Sequence, residues 1–303
     1  MKRLSIFIVG IMVAVVAMSR TFDMKQLGAD AKGIKSCTEL INRTIEKAAS
    51  EGGGTIYFPA GTYLTATIHM KSNITLYLES GAILRFSDKF EDYLPFVTLR
   101  WEGTVMKSLS PLIYAHSADN VTISGRGTLD GNGLKWWLWE FDTRKVIKEN
   151  GGKLPALDKL QQMWVDANKD LEISDYYKPS LERRMFRPPF IQFYECTNIL
   201  IENVKIINSP FWTINPAFCD NVTIHGVTIN NPSSDPKGPN TDGINPSSCR
   251  NVRISDCFIS VGDDCITIKS GRDADGRKYG KACENITITN CIMLSGHGGV
   301  SHR

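Results

Sequence analysis

Long helical periodicity is scarce in this chain, a strong charge of either sign is missing, and beyond the first residues no run is long and apolar enough to span a bilayer. The first absence argues against a helical bundle and, with abundant Gly, Asn, Thr and Ile, leans all-β. The second removes any case for nucleic acid or a membrane surface as partner: the formal net charge is +3 and includes Lys2 and Arg3. Apolar content is ordinary and charged content moderate, as in globular chains rather than disordered ones. The 303 residues suffice for one large domain or two ordinary ones.

The single apolar run, Leu4 to Met18, follows Lys2-Arg3. It falls short of the ~20 residues a spanning helix needs and reads as a secretory signal peptide over residues 1–19, with Ala17-Met18-Ser19 as the cleavage site. The expectation is an exported protein, periplasmic or extracellular and free of the membrane after cleavage. Eight cysteines in an exported chain suggest disulfides, but their placement suggests something else.

That placement is a repeat. Cys196-Thr197-Asn198-Ile199, Cys219-Asp220-Asn221-Val222, Cys249-Arg250-Asn251-Val252 and Cys283-Glu284-Asn285-Ile286 each open a Cys-x-Asn-(Ile/Val)-x-Ile unit, and they stand 23, 30 and 34 residues apart. Looser copies begin at Asn73 and Asn120. Short alternating strands recurring at such a period, with connections of uneven length, are the signature of a solenoid. Stacked in parallel, each residue lies ~4.8 Å above its equivalent, so Cys196, Cys219, Cys249 and Cys283 share one rung position and Cys257 and Cys291 another. Stacked core thiols are the expected reading, although neighbouring rungs are near enough to bridge. A metal site is not expected, because ladder cysteines face a packed interior. A helix over Thr38 to Ser50, closed by Gly52-Gly53-Gly54, should cap the open end. Residues 136–187, rich in aromatics (Trp136, Trp137, Trp139, Trp164, Tyr176, Tyr177), break the repeat and read as an irregular insertion beside the solenoid.

Three motifs lie near the C-terminal end: Asn240-Thr241-Asp242-Gly243, Gly262-Asp263-Asp264-Cys265 and Gly296-His297-Gly298. Each alone is ordinarily a turn or loop, and paired aspartates can also ligate calcium. The register changes their weight. Asp263 follows Asn251 by twelve residues and His297 follows Asn285 by twelve, so stacking should set one over the other, with Asp242 one coil earlier. Carboxyls gathered at ~5 Å cannot all ionise freely; one keeps a proton to donate while an ionised neighbour activates water. Splitting a glycosidic bond needs that division of labour.

In this order, on a right-handed parallel β-helix, these motifs resemble the polygalacturonase family of glycoside hydrolases. Gly52-Gly53-Gly54-Thr55-Ile56-Tyr57-Phe58-Pro59-Ala60-Gly61-Thr62-Tyr63 is similar to the pectin-active superfamily, and the resemblance runs from about Phe22 to Val300. It implies an all-β fold, a right-handed parallel β-helix over residues 22–303 with a short N-terminal capping helix, acting as a monomer without cofactor or metal. It implies hydrolysis of polygalacturonate or a rhamnogalacturonan-type chain with inversion. By position Asp263 matches the general acid, Asp242 and Asp264 the pair that activates water, and His297 the supporting histidine. Arg187-Pro188-Pro189-Phe190, Ser209-Pro210-Phe211-Trp212 and Gly271 to Arg277 resemble segments of bacterial members, which makes Asn240, Trp212, Arg272 and Arg277 the candidate substrate-binding residues. The family's Arg-x-Lys motif beyond the histidine has no counterpart before Arg303, and the expectation is a truncated chain with weak or no activity by itself. Two rivals stand beside this reading: a pectate-lyase-like enzyme using calcium on the same solenoid, and a non-catalytic carbohydrate-binding solenoid.

Overall fold

The structure is a computed structural model and describes residues 20–152, 158–170, 187–232 and 234–302. The signal-peptide expectation, Tyr176 and Tyr177 lie outside the described residues. The chain winds into a parallel β-helix whose coils stack three ladders of strands. The first ladder has eight strands, from Thr21–Asp23 to Glu284–Thr289; the second has eight, from Lys32–Ser36 to Ile292–Ser295. The third runs through Ile68–His69, Ile113–His116 and Ile191–Tyr194, continues as single bridges at Ile214 and Ile244, and ends in Ile266–Ile268 and Val300–His302. The first coil contributes to the first two ladders and then runs into the helix Thr38–Ser50; each later coil contributes to the first ladder, then the second, then the third.

Register follows the hydrophobic alternation. In the first ladder Ile56, Leu76, Ile123, Ile201, Ile224, Ile254 and Ile288 stand over one another; in the third, Ile113, Ile191, Ile214, Ile244 and Ile266 do the same. These side chains are almost wholly buried up to Ile266. Each contributes about 1.5–3 kcal/mol by leaving water, and a slip of one residue would turn the whole row outward.

The repeated asparagines explain how the chain turns. Asn73, Asn120, Asn198, Asn221, Asn251 and Asn285 all adopt the left-handed conformation, φ 54 to 62°, which asparagine tolerates better than most residues. Their amides hydrogen-bond up the stack: Asn120 Nδ2 donates to Asn73 Oδ1 at 2.9 Å, Asn221 to Asn198 at 2.6 Å and Asn285 to Asn251 at 3.0 Å. Just before them the cysteines stack as expected, and all eight are free thiols. Cys219 Sγ lies 3.1 Å from Phe193 O and Cys249 Sγ 3.2 Å from Pro216 O, so the ladder thiols hydrogen-bond to the backbone of the preceding coil.

Helix α1, Thr38–Ser50, lays Ile41, Ile45 and Ala48 on the open end of the core. Gly53 closes it at φ 124°, where a Cβ would sit 2.5 Å from Asn73 O. Among the described residues, the break in the repeat holds helices α2 (Leu134–Glu149) and α3 (Lys159–Ala167). Trp136 and Trp164 are buried in the main core, so these helices are packed on the solenoid. A further helix, α4 (Asp273–Tyr279), leaves the coil after the third ladder.

Candidate active site

The three motifs occupy one corner of the coil, the connection from the second ladder to the third. Counting back two residues from the paired Ile214, Ile244, Ile266 and Val300 gives a column Trp212, Asp242, Asp264, Gly298. One residue earlier lies a second column: Phe211, Thr241, Asp263, His297. Backbone bonds hold the columns: Thr213 N donates to Asp242 O at 2.8 Å, Gly243 N to Asp264 O at 3.0 Å and His297 N to Asp263 O at 2.8 Å. Asp242 therefore stacks beneath Asp264, and Asp263 beneath His297. One carboxylate oxygen from each of Asp242, Asp263 and Asp264 falls within 4.8 Å of the others. Glycine at 298 keeps the next rung clear, since a Cβ there would stand 3.0 Å from Asp264 Oδ1.

The three carboxyls have different surroundings. Asp242 is buried and accepts from Asn245 Nδ2 at 3.0 Å, with Lys269 Nζ at 3.5 Å. Its pKa is pushed up to about 7, chiefly by burial and then by Asp263 and Asp264, against the pull of Lys269 and Asn245. Asp264 is also buried and accepts from Thr267 Oγ1 at 3.4 Å. Asp263 is the most open of the three, its side chain 16% exposed. It accepts from Asp264 N at 3.0 Å, lies 3.2 Å from His297 Nδ1 and faces Asn240 Nδ2 at 3.4 Å.

A cavity of about 430 Å³ opens over this group, lined by Asp242, Asp263, Asn240, Trp212, Lys269 and Arg272. Trp212 lies beneath Lys269, whose ammonium is 4.2 Å from the ring centroid. Arg272 reaches it from the turn before α4 and pairs with Glu102 at 3.0 Å. Arg277 does not join them: it is exposed on the last turn of α4 and lines no part of the cavity. Helical geometry turns it away from Arg272 once the segment winds as α4 rather than as an open loop.

Several residues escaped the motif reading. Lys269 and Asn245 touch Asp242, and their signal was the strand period: Asn245 and Thr267 each follow their aspartate by three residues, and Lys269 shares Thr267's face. Arg187 is buried and donates to Pro210 O, Pro239 O and Asn240 Oδ1 at 2.8, 2.6 and 2.8 Å, which fixes the turn that carries Asn240. Lys237 Nζ lies 2.6 Å from His297 Nε2. An ammonium only donates, so Nε2 accepts and Nδ1 carries the hydrogen that faces Asp263.

By donor type the three carboxylates can hold a divalent cation; Lys269 already supplies a positive charge against Asp242. The arrangement can also clasp a water. Two carboxylate oxygens within 4.8 Å of each other leave room for one water at about 2.8 Å from both, while the third carboxyl, Asp263, faces the cavity.

The family model described as glycosyl hydrolases family 28 matches residues 177–301. The solved structure of a hyperthermoactive exopolygalacturonase from Thermotoga maritima is 38% identical, with a TM-score of 0.78 over 94% of this chain and 62% of that one. Over residues 177–301 the chain is similar to glycosyl hydrolase family 28. A second model, rhamnogalacturonase A/epimerase, pectate lyase-like, matches residues 21–98. Among curated relatives, a probable polygalacturonase of Vitis vinifera is 32% identical over 84% of this chain and 45% of its own length. An endo-polygalacturonase of Pectobacterium carotovorum is 28% identical over 92% of this chain and 62% of its own length. The chain spans about half the length of the curated relatives it matches.

Proposed function

We propose that this protein is a glycosidase that hydrolyses pectic polysaccharide, polygalacturonate or a rhamnogalacturonan-type chain, by acid–base catalysis with inversion. The observation that carries the reading is the carboxylate trio within 4.8 Å, of which Asp242 and Asp263 line a cavity that Lys269 and Arg272 also line. The two cations suit an acidic sugar. The names of the relatives, polygalacturonases from plants and bacteria, support the same substrate class.

The roles follow from the surroundings. Asp263 faces the cavity and gives its proton to the departing glycosidic oxygen. Asp242 and Asp264 hold a water between them, and that water attacks the anomeric carbon as they take its proton. Burial lifts Asp242 to about 7, which makes its ionised form a better base at working pH than an ordinary aspartate. His297, held by Lys237, orients Asp263 through Nδ1–H. Asn240 and Trp212 contact the sugar, and Lys269 and Arg272 its carboxylate. Among the described residues no helix is long and apolar enough to cross a membrane; the apolar Leu4 to Met18 run supports export.

Reducing ends released from polygalacturonate by the full-length protein test this reading. Release is expected, with Asp263→Asn lower in turnover by about 10²–10⁴-fold. No release from any pectic polymer, or full activity in Asp263→Asn, overturns it. A calcium-dependent lyase is the second reading that the trio allows. It predicts an unsaturated, ultraviolet-absorbing product that disappears with chelator, where hydrolysis predicts neither.

A further inference from the structure

Helix α2 turns one face toward the site, and that face carries a buried carboxylate. Trp137, Glu140 and Arg144 follow one another at the spacing that sets side chains on one side of a helix. Trp137 Nε1 donates to Ser209 O at 2.9 Å. Its ring packs so near Gly238 that a Cβ there would lie 3.2 Å from Trp137 Cε2. These contacts brace the connections that lead to Trp212 and Asn240. Glu140 is 2% exposed. Carboxylates are buried that deeply when cations come with them, and here two do. Arg144 Nε donates to Glu140 Oε1 at 2.7 Å, and the buried Arg187 sets its Nε 3.8 Å from Glu140 Oε2.

Both guanidiniums reach onward to the same acceptor. Asn240 Oδ1 accepts from Arg187 Nη2 at 2.8 Å and from Arg144 Nη2 at 3.5 Å. A guanidinium only donates, so the amide oxygen is turned toward the two arginines and Nδ2 is left to face Asp263 Oδ2 at 3.4 Å. The other oxygen of Asp263, Oδ1, already faces Asp264 N at 3.0 Å and His297 Nδ1 at 3.2 Å. The proton that Asp263 gives therefore rides on Oδ2, the oxygen beside Asn240. It passes to the departing glycosidic oxygen as the bond to the anomeric carbon breaks, and Asp263 is left as a carboxylate. Were the Asn240 amide to turn over, its oxygen would accept that proton in a hydrogen bond and hold it from the leaving group.

We propose that Glu140 is a positioning residue for the acid step: by holding Arg187 and Arg144 it fixes the Asn240 amide, and the amide keeps the Asp263 proton free for the leaving group. The inference rests on the hydrolase reading above. It gives the inserted helix a part in the chemistry beyond its packing on the solenoid.

Glu140→Gln in the full-length protein keeps the size of the side chain and removes its charge. On polygalacturonate kcat is expected to fall about three- to tenfold, as for the loss of one hydrogen bond, with KM within about twofold of the parent. The same substitution is then made in Asp263→Asn. With no acid left to position, Glu140→Gln should leave the residual rate of that variant unchanged. An equal fall in both backgrounds overturns the inference, because a loosened fold lowers both alike. Parent kcat in Glu140→Gln, or a rise in KM with kcat intact, overturns it too. A melting transition checks folding. Should Glu140→Gln not fold, the same cycle on Arg144→Met, whose side chain is 51% exposed, decides by the same outcomes. Failure of the parent to release reducing ends from any pectic polymer overturns the underlying reading instead.

Discussion

Lys269 sets its ammonium 3.5 Å from Asp242 Oδ2, with both side chains more than nine-tenths buried. The pair is a contest: burial pushes the Asp242 proton to stay, Lys269 draws it off, and the outcome is a carboxyl poised at about 7.

Stability should register that proton. The folded pKa of Asp242 lies above its ordinary 3.8, so the folded state binds the proton more tightly than the unfolded chain. The contribution is fully present below about pH 4, is lost as pH rises to about 7, and is flat above. Unfolding free energy of the parent minus that of Asp242→Asn, which cancels other titrating groups, should fall between pH 4 and 8 by an amount on the order of a few kcal/mol. A difference that stays level across this range contradicts the assignment.

Removing the cation should move the chemistry in the same direction. Lys269→Met takes away the strongest pull on the Asp242 proton, so the acid limb of kcat/KM should shift to higher pH. KM for an anionic oligosaccharide should rise as well, since Lys269 lines the cavity. Lys269→Arg should restore part of both. An unmoved pH profile in Lys269→Met would mean that Asp242 does not govern that limb.

Lys237 acts through His297. Lys237→Met should leave KM near the parent value and lower kcat by about two- to tenfold, the equivalent of one hydrogen bond of roughly 0.5–1.5 kcal/mol. A rise in KM with kcat intact would assign Lys237 to substrate binding instead of to His297.

The thiol ladders make a prediction independent of catalysis. With denaturant and no reductant, alkylation followed by intact-mass measurement should add eight labels, because every cysteine is free. Native protein should label slowly at the six buried cysteines, leaving Cys283 and Cys291 as the more reactive pair. Fewer than eight labels in denaturant would reveal disulfides and break the ladder account.

The fold was legible because its units repeat. Asn198, Asn221, Asn251 and Asn285 mark the same turn on four coils, and the equal offsets of Asp263 and His297 from those marks placed them in one column. The register within the site was coarser: sequence set Asp242 one coil before Asp263, whereas pairing of Ile244 with Ile266 stacks it under Asp264. Residues on irregular connections were beyond reach. Lys237 sits in residues 231–243, Glu102 at a hairpin tip and Arg277 on α4, and none of these segments carries a repeat from which a direction can be counted. Helix α2 begins at Leu134, two residues before the insertion expected from Trp136.

The central claim is that coil stacking lets Asp242 and Asp264 hold a water while Asp263 supplies a proton. The trio's oxygens, within 4.8 Å, are closer than the ~6.5–9.5 Å usual for a lone acid and base in inverting glycosidases, so stereochemistry separates the possibilities sharply. Proton NMR of the first product formed from a defined oligogalacturonate reads it directly. The account predicts an anomeric configuration opposite to that of the bond cut; a product that keeps it would mean that a carboxylate, and not water, attacks the sugar.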